Sequence, residues 1–326
     1  MKRILVFVAI TFALTWAYEF VVVYPLVEGD LSQVPSMVVT LAIGTAMFFP
    51  AIGVVLTRLV TREGFRNCVI KPYPWRKSLP WFALAWFGPS ALIILGAVIY
   101  FLVFPGDFDP QSTQFAAMLE RQMADAGAPA ELPSIAMLAV VQILTGVFLG
   151  PLMNIVTTFG EEWGWRGYFV PKLARRMGIV PTLLVSGIIW GLWHAPLTVL
   201  GHNYGVGYPG WPITGIFAMC VFCIAIGIFL SYVTIRTGSC LAATFGHGAL
   251  NSLVGASTIF AVAGVSPFVG PSPTGIIGGC GFIMVAVIML VDLRRRERDG
   301  ALRVPTAGAD DEEGGFCPRE TRGSCG

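Results

Sequence analysis

About eight runs of roughly 20 mostly apolar residues constrain this chain more than any other feature. Each is long enough to cross a bilayer as a helix. The runs are roughly 4–27, 37–60, 81–104, 135–158, 179–200, 213–235, 241–262 and 274–291. Inside lipid a backbone must satisfy its own polar groups, so spans of this kind are helical. The composition agrees: 55% of the 326 residues are hydrophobic and only 12% are charged, against about 25% charged in soluble domains. The mean hydropathy is +0.74. The expected fold is all-α, a polytopic membrane helix bundle of about eight transmembrane helices. The first run is too long for a secretory core of about 7–15 residues and is read as an uncleaved helix.

The net charge of +2 says little, but its distribution says much. Lys2 and Arg3 precede the first run, and the next connection holds Glu28 and Asp30 with no base. Arg58, Arg62, Arg66, Lys71, Arg76 and Lys77 follow the second run. Asp107, Asp109, Glu120, Asp125 and Glu131 follow the third, against one Arg121. Basic residues return at 166–176 and 294–298, and the connections 201–212 and 263–273 carry no charge. Cytoplasmic loops are the basic ones, so both termini are expected in the cytosol of a multi-pass plasma-membrane protein.

Four segments are expected: 1–134 with three spans and an external loop, a core at 135–262, the last span with its basic flank at 263–298, and a disordered tail at 299–326. Within the external loop, 112–126 has helical periodicity and reads as a surface helix. The cysteines are scattered, and Cys220-x-x-Cys223 lies in an apolar run with no second ligand pair, so packing is the expected role. No structural disulfide is expected. A prenylation box needs a cysteine four from the end, and position 323 is glycine, so the chain is not expected to be a substrate by that motif. Nothing resembles a phosphate loop, and no basic-aromatic surface suggests nucleic acid.

Charge kept out of the spans collects in one stretch, Glu161-Glu162-Trp163-Gly164-Trp165-Arg166. Ionised groups at membrane depth are costly and mark function. Adjacent helical residues point about 100° apart, so the two carboxylates face different spots. Glu162 and Arg166 are i,i+4 in the favoured order and are expected to pair. Glu161 is left to face a cavity, where it could act as a general base. Two of the three histidines lie in apolar sequence: His194 after Trp190, and His247 with Asn251 on one helical face. Counted along straight helices, His194 lies about 22 Å past residue 179 while His247 is only about 9 Å into its run. A common depth then needs tilt, or a chain near 159–171 broken at its glycines.

These segments closely resemble the CPBP family of intramembrane proteases, the type II CAAX prenyl endopeptidase and bacteriocin-processing group. Glu161, Glu162 and Arg166 match its Glu-Glu-x-x-x-Arg motif. Trp190 stands where the family usually has Phe, four before the histidine matched by His194. His247 and Asn251 match His-x-x-x-Asn. The resemblance covers roughly 135–260. It implies a cytosol-facing membrane cavity and cleavage of a peptide or protein C-terminus, prenylated in some relatives. Water would be activated on Glu161 with His194, His247 and Asn251 would stabilise the oxyanion, and Glu162, Arg166 and Trp190 would support the site. Glu161, His194 and His247 are chemically adequate for zinc, although no His-Glu-x-x-His is present. The alternatives are a non-enzymatic scaffold or bacteriocin-immunity protein of the same fold, and a proton-coupled transporter. No inverted repeat supports the latter. Serine (Gly-x-Ser-Gly) and aspartyl (Gly-x-Gly-Asp) intramembrane proteases lack their motifs here.

Overall fold

The computed structural model describes residues 1–28, 36–125, 127 and 134–308. Among them the regular elements are helical, and a lone antiparallel bridge joins Phe108 to Ala261. The bundle is polytopic, as expected, and the chain is an integral membrane protein. Four helices are long and apolar enough to cross a membrane: Lys2–Val27, Met37–Val60, Trp75–Val103 and Ile213–Thr237. Ile135–Phe148 and Ile179–Trp193 are apolar but shorter. Leu5, Phe20, Leu102 and Phe217 are among many large apolar side chains left exposed, the surface a lipid-facing bundle presents.

Helix α1 (Lys2–Tyr18) passes through a π-helical turn at Glu19–Val23 into α2 (Tyr24–Glu28). Helices α3 (Ser36–Ala46) and α4 (Phe49–Val60) make the second crossing and α5 (Trp75–Val103) the third. The short α6 (Thr113–Asp125) takes up the expected surface segment and buries Phe115 against Ala139 and Ile259.

The runs read as continuous at 135–158 and 179–200 are interrupted. The first is divided into α7 (Ile135–Phe148), α8 (Gly150–Met153) and α9 (Ile155–Gly164). Pro151 has no amide hydrogen to donate, and the Asn154 side chain caps back onto the Gly150 carbonyl at 2.9 Å. The second is divided at His194 into α11 (Ile179–Trp193) and α12 (Ala195–Val199), with Pro196 in the first turn of α12. Between them, a π-helical turn at Trp165–Phe169 leads from α9 into α10 (Val170–Ala174). The glycines at 160, 164 and 167 do not break the chain here, contrary to the expectation. A Cβ at Gly160 would sit 2.6 Å from the Met47 carbonyl, and one at Gly164 2.4 Å from Pro50, so two of these glycines let α9 lie against α4.

Helix α13 (Ile213–Thr237) runs through the centre, and α14 (Cys240–Leu253) and α15 (Cys280–Arg298) complete the bundle. Gly187 and Gly191 are four apart on α11. A Cβ at either would come within 2.6 Å of the α13 backbone, at Ile224 and Cys220. This is the small-xxx-small device by which membrane helices approach closely, and it seats Trp190 and His194 against α13. The last two spans are shorter than expected: α14 stops at Leu253, and residues 274–279 form turns before α15.

The tail is not wholly solvated. Residues 301–308 return to the bundle, where Lys172 Nζ donates to the Ala307 carbonyl at 2.9 Å and Ala307 is fully buried. Residues 309–326, with Cys317 and Cys325, lie outside the described residues. Cys68, Cys220, Cys223, Cys240 and Cys280 are free thiols.

Candidate active site

The three polar segments meet inside the bundle. Glu161 and Glu162 lie on the last turn of α9, Arg166 in the π-helical turn, Trp190 near the end of α11, His194 at its C-cap, and His247 in the middle of α14. All are buried. The breaks before α9 and at His194 bring together residues that straight helices would separate in depth.

Glu162 is the hinge of the site. Arg166 Nη1 donates to its Oε1 at 2.9 Å, the expected i,i+4 pair. The same oxygen accepts from His247 Nδ1 at 2.8 Å, a contact the sequence did not suggest. One carboxylate thus ties α9, the π-helical turn and α14. Charge-assisted bonds of this kind are the strong ones, and both fall on Oε1, while Oε2 is buried with no partner among the described residues.

Glu161 faces a different group, as its position one residue earlier requires. Its Oε2 accepts from Trp190 Nε1 at 2.9 Å. Trp190 is therefore more than the apolar wall expected of it. Its ring packs beside both histidines, with centroids 5.7 Å from His194 and 5.5 Å from His247. The Arg166 guanidinium stacks over it at 4.0 Å. His194 Nδ1 lies 2.8 Å from the Trp190 carbonyl. A carbonyl only accepts, so Nδ1 carries the proton and Nε2 is left with its lone pair. Trp193, against the His194 ring, donates from Nε1 to Thr15 on α1 at 2.8 Å, which fastens the end of α11.

Trp190→Phe keeps the aromatic packing but leaves Glu161 Oε2 without its donor. A hydrogen bond to a charged group contributes about 1.5–3 kcal/mol. We expect the thermal midpoint of this variant to fall by a few degrees, measured by thermal unfolding.

Asn251 is half-buried one turn beyond His247. Its amide takes no hydrogen-bond partner among the described residues, so it is not joined to His247 in the resting site. Cys223 approaches His194, with its sulfur 3.9 Å from Nδ1. Among the described residues no three His, Cys, Asp or Glu side chains are grouped to hold a metal ion. Glu162, not Glu161, is the carboxylate on His247. As placed, Glu161, His194 and His247 do not form the zinc set that their chemistry would allow.

Sequence reasoning missed one member. Glu19, in the π-helical turn after α1, is 1% exposed, and neither of its oxygens finds a donor among the described residues. Its carboxyl lies within electrostatic range of the Glu161 carboxyl. The signal was present, because Glu19 is the single charged residue between positions 4 and 27. Both π-helical turns thus border the site, in keeping with their frequent occurrence at functional positions.

Comparison with known proteins supports the same region. Residues 128–253 match the family model described as Type II CAAX prenyl endopeptidase Rce1-like. A curated relative, CAAX prenyl protease 2 of Methanococcus maripaludis, is 40% identical over 53 residues. That alignment covers 16% of this chain and 19% of the relative, so the chain spans about a fifth of the length of the curated protein it matches. The matched interval takes in every motif residue from Glu161 to Asn251, so the similarity to the type II CAAX prenyl endopeptidase family falls on the part of the chain that builds the buried site.

Proposed function

We propose that this chain is an intramembrane endopeptidase that cleaves a peptide or protein near its C-terminus from the cytosolic side of the plasma membrane. The observation that carries the reading is the division of labour between the adjacent glutamates. Glu162 is committed to structure through Arg166 and His247, whereas Glu161 has one donor, on one oxygen. Its other oxygen is available to a water molecule.

In this reading a water between Glu161 and His194 Nε2 gives a proton to the carboxylate as its oxygen bonds to the scissile carbonyl carbon. The carbonyl oxygen becomes an oxyanion. His247 donates to it from Nε2 while Nδ1 stays on Glu162. The ring carries both protons throughout, before and after the attack, with Glu162 as its counter-charge. The Asn251 amide, free in the resting site, supplies the second donor. Collapse of the intermediate breaks the C–N bond, and the proton held by Glu161 passes to the leaving amine. Preorganised donors at such an oxyanion contribute about 2.7–4 kcal/mol each in comparable sites. The relative's name supports a lipidated C-terminal substrate.

Asn251→Ala tests the oxyanion role. We expect kcat to fall about 10²–10³-fold with KM little changed, read from steady-state peptide hydrolysis. Full activity in this variant would remove Asn251 from the mechanism. The cytosolic placement has its own test. Reporter fusions at Asp30, Asp125 and Gly205 should read as external and one at Arg66 as internal, as the basic connections require.

A further inference from the structure

The basic end of the bundle holds a cavity of about 1340 Å³, lined by none of the motif residues. It opens where three elements meet. Helix α5 begins there at Trp75, α13 ends there at Thr237, and residues 303–306 of the returning tail form the opposite wall. Gly238 closes α13 in the left-handed conformation at φ 73°. The Tyr73 ring lies over it where a Cβ would sit 2.7 Å away, so the floor of the cavity requires glycine.

Its lining carries Lys71, Arg76, Lys77, Arg236 and Arg303 and no acidic side chain. Arg236 is engaged: it stacks on Trp81 at 4.2 Å and reaches Asp292 at 3.7 Å. The other four are exposed and take no acidic partner among the described residues. Four like charges around one concavity repel one another unless an anion lies between them. Helix α5 adds to the attraction. It opens at Trp75 with no side-chain cap, so its first amides point out of a 29-residue helix, an arrangement that favours negative charge. Cations in a first turn oppose the helix dipole, and Arg76 and Lys77 occupy that turn.

We infer that this cavity binds the phosphate headgroup of an anionic phospholipid. A lipid fits better than a soluble anion because of where the cavity lies. Two membrane-spanning helices, α5 and α13, end at it. Trp75, 62% exposed beside Arg76, is placed as an interfacial ring at that level. Basic pockets between spans on the cytoplasmic side are suited to such headgroups. The returning tail, fastened by Lys172 to Ala307, holds Arg303 in the wall. This inference stands independently of the proteolytic reading.

The test uses the full chain purified in a zwitterionic detergent. Thermal midpoints are compared with added phosphatidylglycerol, phosphatidylcholine or inorganic phosphate, and bound lipid is counted by native mass spectrometry. Two triple variants are compared with wild type: Lys71→Gln/Arg76→Gln/Lys77→Gln at the cavity, and Arg294→Gln/Arg295→Gln/Arg298→Gln on α15. We expect phosphatidylglycerol alone to raise the midpoint, with a retained lipid in wild type and in the α15 variant. The cavity variant should bind it roughly a hundredfold more weakly. Equal retention by the cavity variant would overturn the inference. So would an equal loss in the α15 variant, which would show unspecific charge attraction. A midpoint shift with inorganic phosphate as large as that with phosphatidylglycerol would identify a soluble anion instead.

Discussion

Glu161→Gln should lower peptide hydrolysis by about 10³–10⁴-fold while the protein remains folded. General acid–base groups contribute up to about 10⁴-fold, and Glu161 is proposed to make both proton transfers. The substitution is chosen for what it keeps. A glutamine oxygen can still accept from Trp190 Nε1, so the 2.9 Å contact that positions the side chain survives. What is lost is the carboxylate that takes a proton from water. The expected pattern is a collapse of kcat with the thermal midpoint close to wild type. A parallel loss of stability and activity would point to a structural role for Glu161.

Glu162 should show the opposite balance. Glu162→Ala leaves the Arg166 guanidinium, 1% exposed, without its acid and removes the acceptor from His247 Nδ1. Removing one partner of a buried ion pair costs about 3–5 kcal/mol, here with a further buried polar group released. We expect a large fall in unfolding midpoint and loss of activity through misplacement of His247. Glu162→Gln should cost less than Glu162→Ala, because its amide oxygen can still accept from both neighbours although the counter-charge to Arg166 is lost. A double-mutant cycle of Glu162→Gln with Arg166→Gln should give a coupling of about 0.5–3 kcal/mol. Additivity within error would contradict the pairing.

These two residues show how much of the site was legible. The Glu162–Arg166 bond follows from helical spacing and was readable directly. So were the apolar runs, since hydropathy over about 20 residues reflects a requirement of the bilayer. The Glu162–His247 bond joins residues 85 apart, and nothing local encodes which of two adjacent carboxylates a distant helix will meet. The hydrogen bond from Trp190 was hidden for a different reason. An aromatic before a histidine was read for its ring, while the indole N–H is what reaches Glu161. Glu19 was passed over because its run was scored for apolar length, although a lone acid in such a run is a signal of its own.

The helix breaks were partly written in the chain. Pro151 and Pro196 lie where α8 and α12 begin, and proline disrupts helices for a local reason. A hydropathy window averages across such residues and joins what the backbone separates. The glycines at 160 and 164 misled in the opposite sense. Glycine weakens a helix in isolation, but here it is what allows α9 to lie against α4. Only the packed neighbour decides between the two uses. The returning tail was illegible for the same reason: its polar composition suggested solvation, and its anchor is a backbone carbonyl held by Lys172.

Whether Glu161 directs water onto a peptide carbonyl is decided by hydrolysis in H₂¹⁸O. Purified wild type and Glu161→Gln are incubated with a library of hydrophobic C-terminal peptides, with and without a prenyl group, and products are read by mass spectrometry. That role requires cleavage by wild type, with ¹⁸O in the new C-terminal carboxylate, and none above background with Glu161→Gln. Cleavage at equal rates by both proteins, or no cleavage by folded wild type across the library, would contradict it.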